Sequence, residues 1–287
     1  MTSHYIYPRG LEPGPANAIA YLRAVRALAL DFDGVLFDSA HEAFAVALRS
    51  FAALRPGARL ARLAAQPEVD PGGRLFASFL ELMPLGNRAE DYGVALSALE
   101  AGVRLPDQAA YDAWYAGQDT VWLRAYHARF YEERASFARS DHERWLGLMP
   151  PFAPFLAVLR RRAGEVPYAI ATAKDRASVT ELLVRYGAAD LFDPERILDK
   201  EVGRSKRAHM ERLAEALGLP FPAITFVDDK VNHLEDVAPL GVRCALAAWG
   251  YNGEREHVEA RAAGIPICTL DGAEPLLFGP FPPGKLR

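Results

Sequence analysis

Ala27-Leu28-Ala29-Leu30-Asp31-Phe32-Asp33-Gly34-Val35-Leu36 is a short apolar run that ends abruptly in two acids flanking one aromatic residue. A continuous apolar run bounded by a turn signal reads as a strand buried on both faces of a parallel sheet. Successive side chains of a strand point to opposite faces. Asp31 and Asp33 are therefore expected on one side, with Phe32 in the core. Gly34 lets the chain turn sharply just past the strand. Open α/β sheets bind ligands at the carboxyl ends of their strands, and two carboxylates crowded there are costly without a positive partner. A divalent cation would serve. Taken alone, Asp-x-Asp-Gly also suits a plain turn or a calcium loop, so the rest of the chain must discriminate.

Further apolar runs follow the first one. Pro167–Thr172, Ile224–Asp229, Val242–Ala247 and Pro266–Leu270 read as strands. Between them, Phe152–Arg162, Arg176–Tyr186 and Ser205–Leu217 have helical spacing, the last two stopping at Gly187 and Gly218. Strands alternating with helices imply βαβ units. The stretch from Asp38 to Leu148 breaks the pattern, being strand-poor and rich in Ala, Leu, Arg and aromatics. A helix is expected over His41–Phe51 after the Asp38-Ser39 cap signal, and one or two long helices over Tyr111–Phe137. Their Trp and Tyr residues are expected mostly in a helical core, and Arg124, Arg129 and Arg134 on a solvated face, with one arginine able to reach a substrate's second anionic group. The expected fold class is α/β: a Rossmann-like doubly wound parallel sheet core, residues 1–37 and 149–287, with an inserted all-helical cap domain, residues 38–148. Two adjacent linkers would join them as a hinge. Residues 1–20, with three prolines, read as an irregular arm leading into a short helix.

The chain has 287 residues, is 51% hydrophobic and carries a net charge of −4. That composition supports a sizeable core and argues against disorder and a broad nucleic-acid footprint. Cys244 and Cys268 lack metal-ligand spacing and read as buried hydrophobes. No stretch has the ~18 apolar residues of a membrane span, and the first residues lack the basic start and apolar run of a signal peptide. A cytoplasmic protein without membrane or nucleic-acid partners is expected. Composition leaves the oligomeric state open.

At the predicted strand ends stand Asp31 and Asp33, then Thr172 with Ala173-Lys174-Asp175, then Asp228 and Asp229 with Asn232. Lys206 opens the helix between the second and third of these ends. This constellation resembles the haloacid dehalogenase superfamily, and the resemblance covers nearly all of the chain after residue 25. Asp31-Phe32-Asp33-Gly34-Val35 is similar to its first motif, Ile170-Ala171-Thr172 to the second, Lys206 to the third and Phe226-Val227-Asp228-Asp229 to the fourth. Ala173 departs from the Asn or Gly common after the second motif. Leu182–Gly187, Leu191-Phe192-Asp193 and Ala248-Trp249-Gly250-Tyr251 resemble the phosphoglycolate-phosphatase-like branch, which carries a helical cap after the first motif. Here the insert is larger than usual.

The resemblance implies a Mg2+-dependent phosphatase acting on a small phosphorylated metabolite. Asp31 would be the nucleophile that becomes an aspartyl phosphate, and Asp33 the general acid/base. Thr172 and Lys206 would hold the phosphoryl oxygens, with Ala173 and Gly34 beside them. Asp31, Asp33, Asp228 and Asp229 would supply the metal ligands, Asp228 being favoured over Asp229 for direct contact. Lys200 is a rival to Lys206, Lys174 and Asp175 read as a loop pair with Lys174 able to approach a substrate, and Asn232 as a support of the fourth-motif loop. A phosphomutase or another transfer on the same fold is an alternative, as is a non-enzymatic metabolite-binding protein. Asp33 argues against a dehalogenase. The absence of any lysine between Asp38 and Leu148 argues against Schiff-base carbon–phosphorus cleavage.

Overall fold

The computed structural model describes residues 26–64, 73–86, 88–203 and 205–279. The expected N-terminal arm and its short helix lie outside these residues. Six parallel strands form one sheet: β1 Ala27–Leu30, β2 Tyr168–Ala171, β3 Ile197–Leu198, β4 Ile224–Asp228, β5 Arg243–Ala247 and β6 Ile267–Cys268. Their order is β3-β2-β1-β4-β5-β6. The chain direction across the sheet thus reverses at β1, which lies between β2 and β4, and such a switch point opens a crevice at the strand ends. Both faces are covered. Leu28 and Leu30 join one apolar cluster, while Ala27 and Ala29 join the opposite one with Phe226, Met210 and Leu234. That alternation is the strand period expressed in burial. β3 is absent from the sequence reading because two residues give no periodic signal.

From Asp38 to Leu148 the regular elements among the described residues are all helical: α1 Ala40–Leu54, α2 Ala61–Ala64, α3 Arg74–Leu82, α4 Ala89–Ala101, α5 Gln108–Ala116, α6 Thr120–Ser140 and α7 His142–Gly147, with a 3-10 turn at Met83–Leu85. The expected long segment Tyr111–Phe137 divides at Gly117–Asp119, where Asp119 caps α6 by accepting from Val121 N. Asp107 caps α5 in the same way from Ala110 N. α1 starts differently from expectation. Asp38 Oδ1 accepts from Ala40 N at 3.1 Å, while the Ser39 hydroxyl makes no cap bond and donates instead to Asp33.

The segments leading into and out of the helical layer run side by side. Asp38 N donates to Pro150 O at 2.8 Å and Phe152 N to Leu36 O at 2.9 Å. Beyond them the core continues with α8 Ala153–Arg161, α9 Arg176–Arg185, α10 Lys206–Leu217, α11 Val231–Val237, α12 Glu254–Ala262 and α13 Ala273–Phe278. No helix among the described residues is long and apolar enough to cross a membrane. Cys244 and Cys268 are buried free thiols, as expected.

The helical layer has its own packing. Tyr126 of α6 is fully buried and donates to Ala47 O of α1 at 2.8 Å. Its ring lies against Gly93 of α4, where an added Cβ would meet ring atoms at 2.8 Å. Gly93→Val is therefore expected to destabilise the protein by about 1–3 kcal/mol through overpacking. The check is a urea unfolding curve whose midpoint falls while its slope is retained; an unchanged midpoint would contradict the close approach of α4 and α6.

Candidate active site

The registers of the central strands bring the acids together. Leu30 is level with Val227 across β1 and β4 and with Ile170 across β2. Asp31 and Asp228, which follow directly, and Thr172, two residues past Ile170, therefore emerge at one edge of the sheet. Phe32 turns back into the core, fully buried and stacked on Phe37 at 4.5 Å. Asp31 N donates to Val227 O at 2.9 Å, which ties the first motif to β4.

Lys206, in the first turn of α10, stands between the two acids. Its Nζ lies 2.7 Å from Asp31 Oδ1 and 3.2 Å from Asp228 Oδ2, and it donates to Ala171 O at 2.7 Å. One ammonium group thus binds the ends of β1, β2 and β4. Lys200, the rival, is exposed at the rim of the same cavity. His233 completes this cluster: its Nδ1 lies 3.1 Å from Asp228 Oδ2. Asp31, Asp228 and His233 offer ligand atoms that all lie within 4.8 Å of one another.

Asp33 and Asp229 occupy separate niches. Asp33 Oδ1 receives Lys174 Nζ at 2.9 Å and the Ser39 hydroxyl; both bonds fall on that one oxygen. Asp229 is cradled by two glycines. A Cβ on Gly34, whose φ is +83°, would meet Asp229 Oδ2 at 2.4 Å, and one on Gly250 would meet its Cβ at 2.3 Å. Asp229 Oδ2 accepts from Tyr251 N at 2.8 Å, and Asn252 Nδ2 donates to its backbone O at 3.0 Å. Gly34 is thus placed against Asp229 and permits its approach. Thr172 is buried, with Oγ1 accepting from Lys174 N at 3.1 Å. Ala173 lines the same cavity as Asp31, Asp33, Thr172 and Lys206.

Several readings of the sequence change here. Lys174 and Asp175 are not a loop pair. Lys174 is buried against Asp33, and Asp175 caps α9 through Ser178 N. Asn232 is exposed and, among the described residues, its side chain bonds only to the neighbouring His233 N; Asn252 performs the expected support of the loop. Lys230 was not singled out, yet it lines the cavity and donates from Nζ to Gly86 O of the helical layer. One signal could have found these lysines. The chain holds twenty-eight arginines but five lysines, Lys174, Lys200, Lys206, Lys230 and Lys285, and four of the five line this cavity. His233 carried no such signal, being one histidine among seven.

Electrostatics separates the acids. Burial pushes the Asp31 carboxyl up to about 6 against the pull of Lys206. Burial acts on Asp228 too, but Lys206 and His233 outweigh it and hold Asp228 well below the usual range. Asp229 is driven well above that range by burial and by Asp228 beside it. Burial would raise Asp33 as well, yet Lys174, Arg134 and the Ser39 hydroxyl bring it below its ordinary value. Four acids face the three ammonium groups of Lys174, Lys206 and Lys230. A divalent cation fits that donor set. Magnesium favours carboxylate oxygens, so Asp31 and Asp228 would hold it, with His233 orienting Asp228 as an outer partner.

Because the raised value of Asp31 favours its protonated form, the carboxylate fraction falls as pH drops through about 6. Any reaction that needs ionised Asp31 should show an acid limb in kcat/KM near pH 6 at limiting magnesium, moving to lower pH as magnesium saturates. A limb that stays at one pH across the magnesium titration would contradict this coupling.

The profile of haloacid dehalogenase-like hydrolases matches residues 25–235. A human protein, magnesium-dependent phosphatase 1, is 42% identical over 48 residues, which are 17% of this chain and 27% of that protein. The chain therefore aligns with about a quarter of that relative's length. Among solved structures, a candidate phosphoglycolate phosphatase from Lactobacillus delbrueckii superposes with a TM-score of 0.61 at 14% identity, covering 89% of this chain and 99% of the other. A haloacid dehalogenase-like family protein from Streptococcus pneumoniae gives 0.59 at 12% identity, covering 85% and 93%. At these identities the structural likeness is one of fold.

Proposed function

Because this chain belongs to the haloacid dehalogenase-like hydrolases, we propose that it is a magnesium-dependent phosphatase that hydrolyses a small phosphorylated metabolite through an aspartyl phosphate on Asp31. The observation that carries this reading is the contact of Lys206 with both Asp31 and Asp228, in a cavity that Asp33 and Thr172 also line. The same reading treats residues 38–148 as the cap and residues 1–37 with 149–287 as the core.

Phosphoryl transfer is chiefly a problem of positioning and charge. Asp31 attacks phosphorus, and the bond from phosphorus to the ester oxygen breaks. Asp33 enters this step in its minor protonated form: it gives that oxygen its proton, leaving the carboxylate that Lys174 and Ser39 stabilise, and regains a proton from the water that attacks the aspartyl phosphate. Its Oδ2 is the atom suited to this transfer, since Ser39 and Lys174 both bond to Oδ1. Lys206 Nζ and Thr172 Oγ1 hold the transferring oxygens. Bound magnesium would supply the charge that lets an anionic phosphate approach anionic Asp31. The helical layer above the site would limit access of bulk water.

Phosphate release from a panel of phosphomonoesters, with magnesium and with chelator, tests the reading. Release should require magnesium, and Asp31→Asn should lower it by at least about 10³-fold with the fold retained. A mutant as active as the parent would remove Asp31 as nucleophile. Transfer to a second metabolite without phosphate release would identify a mutase instead.

Asp33→Asn separates the two half-reactions. Turnover is expected to fall by about 10²–10⁴-fold, while a phosphorylated protein accumulates and is detected by intact mass. Full activity in this variant would exclude Asp33 as the acid/base.

A further inference from the structure

Arg124, Arg129 and Arg134 lie along α6, but they do different things. Arg124 is exposed, and Arg129 pairs with Glu132 and Glu133 on its own helix. Arg134 instead lines the catalytic cavity together with Asp31, Asp33 and Lys206. Its Nε donates to Glu42 Oε1 of α1 at 2.8 Å. Glu42 is 1% exposed, and the same oxygen accepts from Trp145 Nε1 of α7 at 2.9 Å. A guanidinium has five N–H donors. Among the described residues, Glu42 receives the only hydrogen bond from this one, so both Nη groups keep their donors. The side chain is 22% exposed and lines the cavity.

Resting on the phosphatase reading above, we propose that Arg134 selects phosphomonoesters whose leaving group carries a second anionic group, which its Nη donors bind. The tether through Nε leaves a planar fork already oriented, the geometry that carboxylates and phosphates accept in two parallel bonds. Glu42 neutralises the guanidinium when no ligand is present, which makes its partly buried position tolerable. Arg134 lines one cavity with Asp31, Asp33 and Lys206, so an anion bound to it shares that cavity with the reacting centre, and its charge helps hold the Asp33 carboxyl below its ordinary value. The cavity has a volume of about 450 Å³, which leaves room for a leaving group beside the phosphoryl group. Tyr92, Phe130 and Met83 provide its apolar wall.

The test compares matched substrates. Alkyl phosphates of two to five carbons are measured against the same chains ending in a carboxylate, and against chains ending in a second phosphate. The parent protein should favour the anionic tails by at least about tenfold in kcat/KM, the scale of one charge-assisted hydrogen bond. The better of the two anionic series identifies the group. In Arg134→Gln that preference should collapse toward one. In Arg134→Lys, which keeps the charge and a partner for Glu42, part of it should return, mainly through KM. A purely structural Arg134 would lower all three series by the same factor, and that result would overturn the proposal. So would a parent protein that hydrolyses alkyl phosphates as well as the anionic series, which would leave the phosphatase reading standing. Absence of turnover on every series would overturn both.

Discussion

The structure depends on one ammonium group placed among buried carboxylates. Parallel pairing of β1 with β4 puts Leu30 level with Val227, so Asp31 and Asp228 emerge as neighbours in a region from which water is largely excluded. Two such charges repel strongly at low dielectric. Lys206 meets both and also caps the carbonyl of Ala171. The start of α10 and the ends of three strands are thus joined by the same contact. Removing the lysine would leave Asp31 without its cation and Asp228 with only His233 and Lys230 N as partners, and a buried charge that loses its partner costs far more than the pair itself contributes.

The remaining acids are divided by their surroundings rather than by their chemistry. Asp33 is held toward its charged form by Lys174 and Ser39, whereas Asp229 is wedged between Gly34 and Gly250 and driven toward its neutral form. Four identical side chains therefore stand ready for different tasks. The helical layer takes part in this division. Ser39, at its first helix, bonds to Asp33, and Gly86 of the layer receives Lys230 from the loop beside Asp229. Tyr251 links Ser39 and Asp38 to the strand that follows that loop in the sheet. The sheet edge and the helical layer share one polar network, so the position of the layer and the order of the acids are coupled.

Much of this was legible in the residues. The apolar runs at 27–30, 168–171, 224–228 and 243–247 are strands because a strand buried on both faces has a continuous apolar signature, and the acids stand out because they interrupt it. Gly187 and Gly218 mark helix ends because few other residues adopt the backbone conformation found there. β3, with two residues, was illegible, and its place at the sheet edge comes from pairing with β2. Lys174 looked like a loop residue because its partner, Asp33, lies 141 positions away. His233 and Arg134 were equally hidden, since only the packing of α11 against the strands and of α6 over the cavity gives each a direction.

The amino-acid sequence by itself determined the alternation of strand and helix, the interruption by a long helical insert, and the types of group that gather at the strand ends. These follow from local rules: hydrophobic period, turn chemistry and capping. The tertiary structure alone decided which acid meets which lysine, which oxygen of Asp33 receives both Ser39 and Lys174, and which of three arginines on one helix lines the cavity. Those outcomes depend on distances between segments far apart in the chain, set by strand register and by close packing of the helical layer. No local pattern encodes them, because the same local pattern can be packed in more than one way.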